Sequence, residues 1–416
     1  MSSEPTKPLL KASLFTVFVT VFLDLLGFGL VVPYLPGVAR ALGASDLVAA
    51  VVGASYSLMQ LVFVPFWGAL SDRVGRRPVL MVSIAATALA MGFLGIADSL
   101  WMIFAARVLS GIATANIAVA QAYIADVTPH EDRSRGMALV GVAIGLGFVL
   151  GPVIGGALSG LASSRPGVVP AFAAAALSAV NFLFAAFLLP ESLSEDKRGI
   201  AGEGSRRVMS FETIRAALAL PGVRGAVLVN LIVVASFAGL EQTFRLFTAD
   251  MFHLGDRETG YVLGVSGIVL IVMQGGVLRV VARRWPPRVV VATGLGIEAV
   301  GFAILCLAAP VQPLLFVGMS TISLGSAFVA PSLSAYVSRC GEAHAQGRVL
   351  GVLQSSGALA RVVGPGVAGL SYQYAGPLAP YVSAAIGVSL AALLALRVLV
   401  TEPPAGGKTA DGLSRQ

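Results

Sequence analysis

Charge is scarce in this chain. Only 12% of its 416 residues are Asp, Glu, Lys or Arg, about half the share of a soluble domain. That excludes an ordinary solvated globular protein. Cysteine is nearly absent too. Cys306 and Cys340 alone cannot build a disulfide framework or a metal site. No phosphate-binding P-loop pattern occurs, which argues against an ATP-driven pump in this chain alone. No long polar stretch occurs either, so a sensor's large soluble domain has no place here.

Apolar residues fill the space instead. They make up 56% of the chain, with 48 glycines and a mean hydropathy of +0.87. About 20 apolar residues cross a bilayer, and twelve runs qualify: 12–34, 46–70, 78–98, 100–125, 134–160, 169–190, 223–249, 258–280, 288–309, 312–338, 346–371 and 377–400. The expected fold class is an all-α membrane protein of twelve transmembrane helices. The first run is long enough to span and shows no small-residue cleavage pattern, so no removable leader is expected.

Basic residues set the orientation. With both termini cytoplasmic, the N-terminus, the turns after spans 2, 4, 6, 8 and 10, and the tail hold 2, 3, 2, 6, 4, 2 and 3 Lys or Arg, which is 22 of 28. External turns hold only Arg40, Arg165 and Arg257. This is the positive-inside bias. It accounts for the pI near 9.7 without nucleic acid as a partner.

An internal repeat divides the chain. Ala122-Tyr123-Ile124 returns as Ala335-Tyr336-Val337, Arg135 as Arg348, and Gly151-Pro152 as Gly364-Pro365, all at an offset of 213 residues. The expected organisation is a six-helix half over 1–190, a cytoplasmic linker over 191–222, and a second six-helix half over 223–416 with a cytoplasmic tail. Within the linker, Phe211–Leu220 reads as a short amphipathic surface helix or a tether. Parallel repeats about an axis normal to the membrane place a substrate site between the halves near the midplane.

Charges inside spans are costly and mark function by default. They are Asp24, Arg107, Glu241, Arg245, Glu298 and Arg361. Asp24 lies about 20 Å from the cytoplasmic end of span 1 and Arg107 about 9 Å from the external end of span 4. In a core of about 30 Å these depths nearly coincide, so the two can meet across a cavity. A carboxylate that alternates between apolar surroundings and a guanidinium alternates between holding and releasing a proton. A permanent structural pair is the alternative. Glu241 and Arg245, spaced i, i+4, can pair on one face of span 7. Glu298 has no basic neighbour in sequence, and Arg361 can answer Glu241, Asp24 or a substrate carboxylate. Tyr56, Gln60, Asn116, Gln121, Asn230, Gln274 and Gln354 are cavity candidates, or helix-to-helix hydrogen bonds.

Residues 68–80 pack one carboxylate and three arginines between two apolar runs. The turn resembles the signature loop of the major facilitator superfamily at Gly68, Leu70, Asp72, Arg73, Gly75, Arg76 and Arg77. The second-half counterpart, Gly275-Gly276-Val277-Leu278-Arg279 followed by Arg283-Arg284, keeps the arginines but has Arg279 at the acidic position. Leu23-Asp24-Leu25-Leu26-Gly27-Phe28-Gly29 with Pro33 and Leu35-Pro36 is similar to the first helix of twelve-span drug/proton antiporters, bacterial tetracycline antiporters above all. So are Ala106-Arg107-Val108-Leu109-Ser110-Gly111 and Ala122-Tyr123-Ile124-Ala125-Asp126-Val127 with Arg133 and Arg135. Gly145, Gly147, Gly151, Pro152, Gly155 and Gly156 match that family's antiporter motif. Bare, the same glycines suggest a dinucleotide fingerprint, which fails without a βαβ unit, or small-residue helix packing.

The resemblance implies two pseudo-symmetric halves and a proton-coupling role for Asp24 and Arg107, with Glu241 and Glu298 as further candidates. It implies a cytoplasmic latch of Asp72, Arg73, Arg76, Asp126 and Arg135. Two departures weaken tetracycline as substrate: span 3 has no acid midway along it, and span 8 has no histidine. The expected activity is export of an amphipathic small molecule, not an enzymatic reaction. The expected energy source is the proton gradient with no cofactor, in a monomer in a bacterial inner membrane. A nutrient facilitator and a lipid or glycolipid flippase are the rival readings of the same fold.

Overall fold

A computed structural model describes residues 7–114, 116–129, 133–161, 167–193, 198, 211–308, 310–340 and 346–400. Every regular element among them is helical. Span 1 runs through Lys7–Val31, a 3-10 turn Val32–Tyr34 and Leu35–Ala41. It passes the expected end because Pro33 and Pro36 fall in first turns, where a missing N–H costs little. Spans 2 to 6 are Asp46–Val74, Arg76–Gly95, Leu100–Ala113 with Asn116–Val127, Arg133–Ser159 and Val168–Leu188. A short helix, Phe211–Leu218, precedes span 7, Val223–Phe252. Span 8 is Asp256–Val272, a wide π turn Met273–Val277 and Leu278–Arg284. Spans 9 to 12 are Pro287–Leu307, Gln312–Cys340, Gln346–Ala375 and Ala379–Leu394 with its extension Ala395–Val400.

Eleven helices among the described residues are long and apolar enough to cross a membrane. Span 11 is the twelfth. Gln354, Ser355, Ser356 and Arg361 make it the least apolar of the set. Hydropathy did not reveal two irregularities. Span 4 breaks at Thr114, whose backbone is extended and whose hydroxyl donates to the Ser110 carbonyl at 2.6 Å. Span 8 widens where Gly275 and Gly276, poor helix formers, sit in the π turn.

Spans 1–6 and 7–12 form two halves joined along two seams, span 5 against span 8 and span 2 against span 11. We call the side where span 1 begins and span 12 ends the terminal face, and the other the far face. Glycines allow the close approach. In span 5, a Cβ on Gly147 would stand 2.7 Å from the Leu25 Cβ, and one on Gly151 would stand 2.6 Å from the Gly29 Cα. Toward span 8, Gly156 faces the Asp256 carbonyl, Pro152 faces Gly260, Val149 faces Gly267, and Gly145 faces Ile271. One turn nearer the terminal face the seam is open: Gly141 and Gly275 have nothing within 4 Å of a Cβ position. The second seam behaves alike. Gly369 abuts Leu47 and Ala50 near the far face, while Gly68 and Gly347 meet nothing. Span 4 makes no packed interface with span 10 or span 11 among the described residues. The molecule is closed at the far face and open at the terminal face.

Candidate functional site

The break in span 4 builds the centre of the site. It leaves the Thr114 hydroxyl, whose proton goes to Ser110, 3.0 Å from the Tyr56 hydroxyl, from which it accepts. It also starts a new helix at Asn116, whose amide donates to Asp24 at 2.7 Å. Span 4 thereby holds span 1 through Asp24 and span 2 through Tyr56. Arg107, about two turns before the break, is 1% exposed. Its guanidinium lies 4.5 Å from the Tyr56 ring centre and 5.7 Å from that of Phe28. None of its three side-chain nitrogens has a hydrogen-bond partner among the described residues. A stacked, desolvated guanidinium gains roughly 2 kcal/mol from a ring. That does not replace lost water, so Arg107 is held ready for an anion.

The second half supplies that field. Glu241 of span 7 interacts electrostatically with Arg361 and then with Arg107. Tyr56 senses Arg107, Asp24 and Arg361. Asp24, Arg107 and Arg361 from spans 1, 4 and 11 thus converge on Tyr56 at the boundary of the halves, and Glu241 of span 7 answers the two guanidiniums.

Two pairings that the sequence allowed are not formed here. Asp24 and Arg107 form no ion pair here, because Asn116 occupies the carboxylate. Glu241 does not pair with Arg245 either. Arg245 instead joins Asp256 and donates to the Leu254 carbonyl at 3.3 Å, against Gly37. That moves it from the cavity to the far-face closure. Asn230 ties span 7 to span 11 through the Leu353 carbonyl at 3.0 Å and Ser356 at 2.9 Å. Gln121, Gln274 and Gln354 are exposed, and Gln60 is half-buried. Glu298 is 1% exposed and accepts from Ser326 at 2.5 Å. It lies where spans 9 and 10 pack through Gly294 and Gly325, apart from the central group.

At the terminal face the loop charges form one network. Arg76 reaches Asp72 at 2.6 Å, Asp126 at 3.0 Å and the Ser71 hydroxyl at 2.6 Å. Arg77 donates to the Ala186 carbonyl at 2.7 Å. Arg73 is exposed, and the Arg135 side chain lies outside the described residues. Glu191, which the sequence did not single out, accepts the backbone N–H of Arg76 at 2.9 Å and of Arg77 at 3.2 Å. Its carboxylate fills the place of a Cβ on Gly75, whose φ of +109° suits only glycine. A carboxylate at the N-terminus of span 3 satisfies orphan donors and the helix dipole. The network joins spans 2, 3, 4 and 6, all within one half.

The far face carries a different network, across the halves. Arg40 pairs with Asp46 and with Asp250 of span 7, and Tyr372 of span 11 donates to Asp250 at 2.7 Å. The Leu47 N–H donates to Gln373 at 3.2 Å. Within the first half, Tyr34 donates to the Pro152 carbonyl. Of these, Pro152 stood out in sequence through the antiporter motif and Arg40 only as a topology marker.

Comparison with known proteins agrees with this architecture. A family model described as Major Facilitator Superfamily matches residues 17–297 and 275–414. The class C tetracycline resistance protein of Escherichia coli is 33% identical over 362 residues, 85% of this chain and 88% of that protein. Major facilitator superfamily domain-containing protein 10 of Bos taurus is 31% identical over 413 residues, 86% and 87% of the two chains. The crystal structure of the human organic anion transporter MFSD10 superposes with a TM-score of 0.69 at 27% identity, covering 93% of this chain and 99% of that one. The chain is a transporter, not an enzyme, and it belongs to the major facilitator superfamily, with tetracycline resistance proteins among its relatives.

Proposed function

We propose that this protein exports an amphipathic small organic molecule in exchange for protons. In this reading it sits in a bacterial inner membrane with both termini in the cytoplasm, so the open terminal face is cytoplasmic. The observation that carries the reading is Arg107, buried with no hydrogen-bond partner among the described residues, stacked on Tyr56 and within the field of Glu241 of the second half, with Asp24 acting on the same Tyr56. A coupled exporter needs a carboxylate that is paired in one state and apart in the other. Asp24 is apart from Arg107 here, held by Asn116. Closing the cytoplasmic side would bring the halves together around Tyr56, seat Arg107 on an acid and discharge its proton. The Asp72–Arg76–Asp126 network would stiffen the moving half and release a partner for the opposite half on closure. The proton gradient is the energy source, no cofactor takes part, and a monomer suffices.

The test is proton release from purified protein on adding substrate, screened over cationic, neutral and anionic drugs. Release with at least one class supports antiport; binding without release removes it. A second reading has its own observation. Arg107 and Arg361 are two guanidiniums in one cleft, and a relative is described as an organic anion transporter. If anionic compounds alone bind, the substrate rather than the proton is what Arg107 meets.

A further inference from the structure

The terminal end of span 8 carries charge that no described residue offsets. Gly275, Gly276, Arg279, Val280, Arg283 and Arg284 line an open groove of about 450 Å³. These positions recur at i and i+4, so they form two adjacent stripes on one helix face. Arg279, Arg283 and Arg284 make no ion pair or side-chain hydrogen bond among the described residues. The first-half counterpart is neutralised, with Arg76 between Asp72 and Asp126. Here Arg279 stands where Asp72 stands there. The bare glycines leave the backbone of the π turn open beside the arginines.

We propose that this groove binds the phosphate headgroup of an anionic phospholipid of the cytoplasmic leaflet. The inference rests on the orientation proposed above. The positive-inside rule explains which side the arginines occupy. It does not explain three of them on one face with no ion pair among the described residues. Cationic grooves at the cytoplasmic ends of transmembrane helices suit lipid phosphates. A lipid rather than a soluble phosphate is favoured by what adjoins the groove. Val265, Ile268 and Val272 are 42%, 55% and 53% exposed. They form an apolar stripe leading from mid-span to Gly276. Trp285 is 57% exposed at the end of the helix, and indole rings favour the membrane interface. The groove also begins where the seam with span 5 opens, at Gly275 opposite Gly141. A lipid seated there occupies space that the halves need in order to close.

Trp285 can report the lipid directly. Full-length protein carrying Trp67→Phe and Trp101→Phe would be placed in phosphatidylcholine nanodiscs, with part of the lipid replaced by brominated phosphatidylglycerol or brominated phosphatidylcholine. The proposal expects brominated phosphatidylglycerol to quench Trp285 at roughly tenfold lower mole fraction. Arg279→Gln/Arg283→Gln/Arg284→Gln should erase the difference, and millimolar inorganic phosphate should not. Equal quenching by the two lipids overturns the proposal, as does preference retained in the triple variant. Reversal by inorganic phosphate also overturns it, since the ligand is then a free anion. If the triple variant fails to insert, the two-lipid comparison and the phosphate addition decide alone. Nanodiscs present lipid on both sides, so the result depends on neither orientation nor transport.

Discussion

Arg40 of span 1 and Asp250 of span 7 meet at 2.7 Å across the boundary of the two halves, with a second contact of 3.0 Å to the other carboxylate oxygen. The pair is bidentate in acceptor but partly open to water, with side-chain exposures of 29% and 34%. Such pairs contribute about 0.2–1 kcal/mol. That is too little to determine the fold and enough to bias two conformations of similar energy. The pair exists only while the far face is closed.

Asp250→Asn should therefore shift the population toward an open far face by up to about fivefold. Double electron–electron resonance between spin labels on the far-face ends of spans 1 and 7 would read this as growth of the longer distance. Thermal stability should change little. An unchanged distance distribution would make the pair a surface ornament.

The seam register makes a second prediction. Gly145 already faces Ile271, so closing the terminal face brings Gly141 against Gly275. Cysteines at these two positions should crosslink only when that face closes, and the crosslink should stop transport. Cysteines at Gly145 and Ile271 should crosslink in the open state as well. Efficient 141–275 crosslinking in the open state would refute the hinge-like seam.

Glu191 and Asp72 should separate stability from transport. Glu191→Ala leaves the first N–H groups of span 3 without their carboxylate and should cost about 1 kcal/mol, read as a lower Tm of the purified protein. Asp72→Asn loses one ion pair to Arg76 while Ser71 and Asp126 remain. It should leave Tm nearly unchanged yet cut transport severely, whereas Arg279→Gln should cut it much less. Equal transport losses from Asp72→Asn and Arg279→Gln would reduce the loop to an anchor.

Orientation has a direct check. In a cysteine-free background, a cysteine at Arg257 should label with an impermeant maleimide from outside whole cells. One at Arg284 should label only after permeabilisation. The reverse pattern would turn the open face outward and make the proposed export an uptake.

The helical plan was legible because hydropathy and basic-residue bias act over whole segments. Span after span therefore falls within a few residues of its apolar run. Glycine spacing in span 5 likewise announced a close-packed surface, and Gly147 and Gly151 lie on the backbone of span 1. Side-chain pairing was legible only in part. Depth arguments put Asp24 and Arg107 at one level, but depth is one coordinate, and Asn116 took the carboxylate. The i, i+4 rule offered Glu241 to Arg245, but Asp256, from the next helix, stood closer. Glu191 and Asp250 were invisible because each acts on a distant segment. The break at Thr114, on which the central group hangs, leaves no mark in hydropathy.

The central claim is that Asp24 carries the proton, and Asp24→Asn in proteoliposomes tests it most directly. The amide keeps the size of the side chain and its tie to Asn116 but cannot titrate. Under an imposed proton gradient the variant should lose concentrative transport and substrate-driven proton release while still binding substrate or exchanging it passively. Uphill transport by Asp24→Asn at a rate close to that of the parent would contradict the account and pass the role to Glu241.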